Sequence, residues 1–149
     1  MKKKRPSTGK IVNRRARFDY ELGDDLVVGV KLNGRETKSL RQGHAHLRGA
    51  FVTLKNHELV LSNATIASGK TFIIPDTEQT QPRILLAKRK EIDALQAAKD
   101  SGKSIVPLEF LTSGRYVKLR IAIGKGKKRY DKRQTIKERD QARDIRNIA

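Results

Sequence analysis

Apolar and polar residues alternate with a period of two along much of this chain, and Gly, Asn, Asp and Ser clusters interrupt the alternation. Leu26-Val27-Val28-Gly29-Val30-Lys31-Leu32, Ala50-Phe51-Val52-Thr53-Leu54, Glu58-Leu59-Val60-Leu61 and Ile84-Leu85-Leu86-Ala87 all read as short strands, as do the stretches from Ser104 to Leu111 and from Tyr116 to Ile123. An earlier strand is expected from Ile11, with Phe18 and Tyr20 alternating with charged neighbours, and Gly23-Asp24-Asp25 is expected to turn. Lys55-Asn56-His57 and Thr112-Ser113-Gly114-Arg115 are predicted hairpin turns. In the last strand Tyr116, Lys118 and Arg120 alternate with Val117, Leu119 and Ile121. One of its faces is therefore aromatic and basic and the other apolar, the pattern of a sheet with nucleic acid on one side and its own core on the other.

Two stretches change to helical spacing. In Asn33-Gly34-Arg35-Glu36-Thr37-Lys38-Ser39-Leu40-Arg41-Gln42-Gly43, Asn33 can cap a helix with Glu36 as its reciprocal partner, and Gly43 supplies a left-handed stop. About two turns are too few to be stable alone, so the sheet must hold them. Thr37 and Leu40 are expected inward, with Arg35, Lys38 and Arg41 forming a cationic ridge outward. Such a ridge suits RNA, although an ordinary solvated helix face has the same spacing. The second helix is predicted over Lys90 to Ser101, with Ile92, Leu95 and Ala98 on one face and Gly102 ending it. His44-Ala45-His46-Leu47 reads as a connector, and Thr65 to Pro82 largely as a long loop. About six short strands, mostly antiparallel, with two or three short helices give a mainly β fold, an OB-like antiparallel β-barrel being the natural candidate. There is no internal repeat.

Charge sharpens this picture. The 149 residues carry 34 Lys and Arg against 16 Asp and Glu, a net charge of +18. Residues 1–20 hold eight Lys or Arg and one Asp, and residues 125–149 hold ten Lys or Arg and four acids, so the stretch between is nearly balanced. A balanced body with two basic extremities predicts a basic arm (1–10), disordered in isolation, an RNA-binding barrel (11–124) and a basic C-terminal tail (125–149). The tail begins as a Gly/Lys hinge. From Thr135 to Ile148 it has fair helix formers, but only Ile136, Ala142, Ile145 and Ile148 are apolar, so it is expected to order only against an RNA surface. An anionic membrane surface is a rival partner for so basic a chain. However, no segment approaches a spanning length, Met1-Lys2-Lys3-Lys4-Arg5 leads into no signal-peptide core, and the 135–148 segment is too polar for an amphipathic anchor. With no Cys there is neither a disulfide nor a thiolate zinc site, which is compatible with cytoplasm.

Catalytic chemistry finds no foothold in the residue pattern. Gly124-Lys125-Gly126-Lys127 lacks the register of a phosphate loop. His44 and His46 have no third ligand nearby and read as loop or RNA-contacting residues rather than a metal site. Glu21, Asp24 and Asp25 read as a solvated turn, and Ser39 lacks a positioned base. The expectation is a protein that is not an enzyme and needs no cofactor or metal.

Four stretches together resemble one family, SmpB, the SsrA (tmRNA)-binding proteins of bacterial trans-translation. They are Asn13-Arg14-Arg15-Ala16-Arg17-Phe18-Asp19-Tyr20; Gly34 to Gly43, which is similar to the family's G-x-E-x-K-S-L-R-x-G helix; Arg83-Ile84-Leu85-Leu86 through Lys90-Glu91-Ile92-Asp93; and Gly126-Lys127-Lys128-Arg129-Tyr130-Asp131-Lys132-Arg133 followed by Ile136-Lys137-Glu138-Arg139. The likeness runs from about Lys10 to Arg139.

The resemblance implies an OB-like barrel that binds the tRNA-like domain of tmRNA. It also implies entry with elongation factor Tu into ribosomes stalled on non-stop mRNA, and a tail that reaches the 30S decoding centre and the empty mRNA channel. It implies a monomer, acting in the cytoplasm without a membrane. Carried over by position, the tmRNA-facing residues are Asn13, Arg14, Arg17, Glu36, Lys38, Arg41, Arg83, Leu86, Lys118 and Arg120, with Glu36 and Ser39 also pinning the helix. The decoding-centre residues are Gly126, Lys127, Lys128, Tyr130, Asp131, Lys132 and Arg133. Departures from the family pattern are Val27, where a Glu is usual, His44 and His46 in place of Lys and Asn or Ser, and Gln81 in place of an Arg. The competing readings are a generic OB-fold ribosomal protein bound to rRNA, a membrane-surface protein, and an RNA-modifying enzyme.

Overall fold

The computed structural model describes residues 11–126. In chain order they form α1 (Ala16–Asp19), β1 (Tyr20–Val30), α2 (Gly34–Arg41), β2 (Ala45–His46), β3 (Phe51–Lys55), β4 (Glu58–Ser62), β5 (Thr65–Ile66), α3 (Asp76–Gln79), β6 (Arg83–Leu86), α4 (Arg89–Asp100), β7 (Ser104–Leu111) and β8 (Lys118–Gly126). Six strands make one antiparallel sheet in the order β3-β4-β6-β1-β8-β7, and β2 pairs with β5 beside it. Alternation along the strands puts Val28, Leu54, Leu59, Leu61, Leu85, Phe110, Leu119 and Ile121 into one buried cluster, which Leu40 of α2 and Leu95 of α4 join. This is a mainly β fold, with only α2 and α4 longer than one turn among the described residues.

The sheet is not the closed barrel expected from the strand count. It curls until β3 and β7 approach each other, but no ladder joins them. The entering chain explains why. The Asn13 N–H donates to the Leu108 carbonyl at 2.7 Å, the Phe110 N–H donates to the Ile11 carbonyl at 2.9 Å, and Val12 bridges to Glu109. That segment occupies the free edge of β7, and Pro107 beside it has no N–H to offer β3.

Two local expectations also change. The predicted early strand is a single helical turn up to Asp19, because its charges and rings interact at helical spacing: Arg15 pairs with Asp19 at 3.5 Å and lies 4.7 Å over the Phe18 ring. Gly23-Asp24-Asp25 does not turn the chain; it is an irregularity in the register of β1 on β8, between Leu22 and Asp25. The β3–β4 hairpin turns as expected, with Asn56 and His57 both at positive φ (52° and 62°) and Lys55 opposite Glu58. Within the expected long loop, β5 and α3 provide short pieces of order. Strand β8 runs two residues past Gly124 and pairs Gly126 with Tyr20.

Candidate nucleic-acid interface

Local chemistry shapes α2. The Asn33 side chain accepts from the Glu36 backbone N–H at 2.8 Å, and the Glu36 carboxylate accepts from the Asn33 N–H at 3.2 Å, closing the capping box. Gly43 follows the helix at φ 79°. The inward face differs from the expected one. Glu36, Ser39 and Leu40 are buried, whereas Thr37 is half-buried with its hydroxyl donating to the Asn33 carbonyl at 3.0 Å. The Ser39 hydroxyl lies 2.5 Å from the Ala67 carbonyl and 3.1 Å from that of His44, tying the helix end to the chain after β5.

Arg35, Lys38 and Arg41 are exposed, as the spacing predicts. Each is also tethered. Arg35 donates to the Ile73 carbonyl at 3.3 Å, Lys38 reaches the Thr71 hydroxyl at 3.1 Å with its ammonium 5.3 Å over the Phe72 ring, and Arg41 donates to the Thr112 and Arg115 carbonyls at 3.1 and 2.8 Å. The ridge is thus held in place before any polyanion arrives, which lowers the entropy lost on binding.

Arg83 does not join that ridge. Along β6, Arg83 and Leu85 point inward and Ile84 and Leu86 outward. The Arg83 side chain is 2% exposed and forms a 2.5 Å ion pair with Glu36, itself 5% exposed. Its remaining nitrogens donate to the carbonyls of Ala64 at 2.8 Å, Glu78 at 3.1 Å and Gln79 at 3.0 Å. The guanidinium therefore knits α2, α3 and the link between β4 and β5 together, and Glu36 pins the helix rather than lining the surface. A buried charge is tolerated here because it is paired and hydrogen-bonded on every side.

The outward face of the sheet carries the rest of the predicted set. Gly29 of β1 stands opposite Leu86 on one side and Lys118 on the other, and Val27 stands opposite Arg120. Residues opposite one another across strands share a face. Leu86 is 57% exposed and Val27 41%, so with Lys118 and Arg120 they make an apolar and cationic strip with a flat floor at Gly29. Arg120 is flanked by Glu109 of β7 at 3.1 Å and Asp25 of β1 at 3.8 Å. At position 27, where the family resemblance leads one to expect a Glu, the carboxylate is missing, but those two stand on either side of the same cation.

The arm segment continues the strip. Arg14 and Arg17 are exposed, and Arg17 lines a cleft with Asp25, Leu108 and Ala122, beside Arg120. Asn13 is half-buried and holds the arm down, its amide donating to the Pro107 carbonyl at 2.9 Å. At the other end, Arg41 grips the loop that leads into Tyr116 and Lys118, so the α2 ridge and the strip meet there. Tyr116, expected to open the last strand, lies just before β8; it is 68% exposed, with the Arg115 guanidinium 5.5 Å from its ring, and its aromatic place in the alternation is the signal that adds it to this surface. Glu109 and Asp25 were also missed; nothing local signals them, because their place beside Arg120 depends on pairing across three strands. Of the tail residues, Gly126 ends β8, while Lys127, Lys128, Tyr130, Asp131, Lys132 and Arg133 lie outside the described residues. The described residues contain no cluster of His, Asp or Glu that could hold a metal, and no helix among them is long and apolar enough to cross a membrane.

Known proteins resemble this chain over most of its length. The family model for SmpB protein matches residues 10–149. The chain is 42% identical to the SsrA-binding protein of Oenococcus oeni over 134 residues, covering 89% of this chain and 86% of that protein. It is 41% identical to the SsrA-binding protein of Streptococcus pneumoniae over 143 residues, covering 94% of this chain and 92% of that one. A chain from the solved structure "tmRNA-SmpB: a journey to the center of the bacterial ribosome" superposes with a TM-score of 0.67 at 30% identity, over 85% of this chain and 94% of that one.

Proposed function

Since the chain belongs to the SmpB family, it is a tmRNA-binding protein of trans-translation and not an enzyme, and we propose that it grips the tRNA-like domain of tmRNA with the sheet strip and the adjoining α2 ridge. The observation that carries this reading is the single row Leu86–Gly29–Lys118, with Val27–Arg120 beside it, running into the tethered cations Lys38 and Arg41. Lys118, Lys38, Arg41, Arg14 and Arg17 meet phosphates, each releasing counterions. Leu86 and Val27 pack on ribose and base surfaces, and Tyr116 offers a stacking plane worth about 1–3 kcal/mol to an unpaired base. Asn13, Glu36 and Arg83 serve from beneath, holding the arm and α2 in place.

In this reading the body acts as a cytoplasmic monomer, entering the stalled ribosome with tmRNA and GTP-bound elongation factor Tu. The cationic run after Gly126, with Tyr130 and Asp131-Lys132-Arg133, probes the decoding centre and the empty mRNA channel. The test is binding to the tRNA-like domain of the host's tmRNA at about 0.15 M salt, where the Debye length is about 8 Å and distant surface charges are screened. Ordinary tRNA serves as competitor. Tight binding that tRNA cannot displace is expected, and a chain ending at Gly126 keeps that binding while losing the tagging of stalled products. Weak, salt-erased binding to both RNAs overturns the reading in favour of generic rRNA binding.

A further inference from the structure

Arg120 lies at the centre of the strip, yet two carboxylates hold it. Glu109 from one neighbouring strand is 3.1 Å away and Asp25 from the other is 3.8 Å away. The side chains of Arg120, Glu109 and Asp25 are 40%, 21% and 59% exposed, so Asp25 faces solvent while Glu109 is half-buried. An ion pair as open as that of Asp25 adds little to folding. On a face that meets a polyanion, two carboxylates are also a liability unless they serve recognition. They offset the attraction of Arg120 for a passing phosphate beside Val27, leaving Arg17, which lines the neighbouring cleft with Asp25, as the next cation along. Two residue pairs further along, the exposed Lys118 stands between Gly29 of β1, with Leu86 of β6 beyond it, and Leu111 of β7, with no acid directly opposite. The strip is therefore graded, with the pull on phosphate strongest at Lys118 and weakened where Glu109 and Asp25 pair with Arg120.

We propose that Glu109 and Asp25 are the selectivity residues of this face, barring phosphate backbone from the Val27–Arg120 row and admitting RNA that presents ribose hydroxyls or base donor edges there. Carboxylates are acceptor-only groups, matched to the 2′-hydroxyl, the cytosine or adenine amino group and the guanine N–H edge, and mismatched to phosphate oxygens. Discrimination then comes from repelling the wrong RNA as much as from attracting the right one. The inference rests on the tmRNA-binding reading above.

The test compares the full-length wild-type chain with E109Q, D25N and the double variant. Dissociation constants for the tRNA-like domain of tmRNA and for ordinary tRNA are measured across a series of salt concentrations. The amides keep size and an oxygen acceptor while removing charge, and thermal melting checks that each variant, above all E109Q at the half-buried position, stays folded. Affinity for ordinary tRNA is expected to rise roughly two- to fivefold per carboxylate removed. The salt dependence for tRNA should steepen by about one phosphate contact as Arg120 becomes available, and the preference for the tRNA-like domain should shrink in the double variant. A preference that stays unchanged, or two affinities that fall together as they would if Glu109 merely braced Arg120, overturns the proposal. A wild-type chain with no preference fails at the earlier step, refuting the tmRNA-binding reading and this inference with it.

Discussion

The ion pair beneath α2 offers the most demanding test of how this surface is built. Replacing Glu36 with Ala removes the partner of a guanidinium that is 2% exposed, together with the acceptor for the Asn33 N–H at 3.2 Å. Orphaning one member of a buried pair costs about 3–5 kcal/mol. The Asn33 N–H lies nearer to water, so its loss adds at most about 1 kcal/mol. Against a typical stability of about 5–15 kcal/mol, this single change should consume a large share. The Asn33 N–H and the Arg83 Nε–H use different carboxylate oxygens, so the E36Q variant keeps an oxygen acceptor for only one of them; with that oxygen on Arg83 it should still cost less than E36A, about 1.5–3 kcal/mol. Pairing E36Q with R83M removes the buried cation as well, and stability should return part of the way, since an uncharged pair of similar volume has no stranded charge to accommodate. Urea denaturation followed by circular dichroism measures each variant, with unchanged m-values as the condition for comparison. If E36A costs less than about 1 kcal/mol, or if the double variant is no better than the sum of the two single ones, the pair is not the clamp described above. An RNA-contacting role for Arg83 would instead leave stability unchanged and weaken binding.

Other positions separate binding from folding. Lys118→Ala should weaken binding to the tRNA-like domain and lower its salt slope by about one contact, while stability moves by no more than about 0.5 kcal/mol; an unchanged slope would remove Lys118 from the interface. Gly29→Val should push Leu86 aside, because a Cβ there sits 3.3 Å from the Leu86 Cβ, so RNA binding should fall in a titration although both residues lie on the outer face. Gly124→Ala places a Cβ 2.9 Å from Val106 Cγ2 and 3.1 Å from Tyr20 Cβ, and thermal melting should show a loss of about 1–3 kcal/mol from overpacking. Asn33→Ala strips the cap from α2 and should cost about 1 kcal/mol, read by the same urea titration.

The sequence by itself determined what rests on short-range chemistry. Asn33, Glu36 and Gly43 act within a few residues of one another, so the start and stop of α2 were legible, and so was its exposed ridge of Arg35, Lys38 and Arg41. The phase of β8 was equally plain, because Val117, Leu119 and Ile121 can hide only on one side, which turns Lys118 and Arg120 to the other. Tertiary structure alone decided the rest. Arg83 read as a surface cation because a charge is expected in water. It turned inward because Glu36, 47 residues away in sequence, and three carbonyls meet it there. The sheet stayed open because Ile11 to Asn13 took the edge of β7, a choice between two distant partners that no local pattern records. Glu109 and Asp25 came to flank Arg120 through the pairing of β7, β8 and β1. Caps and alternation are settled by neighbours within a turn or a pleat, whereas burial of a charge, closure of a sheet and the company a cation keeps are settled by contacts between segments far apart in the chain.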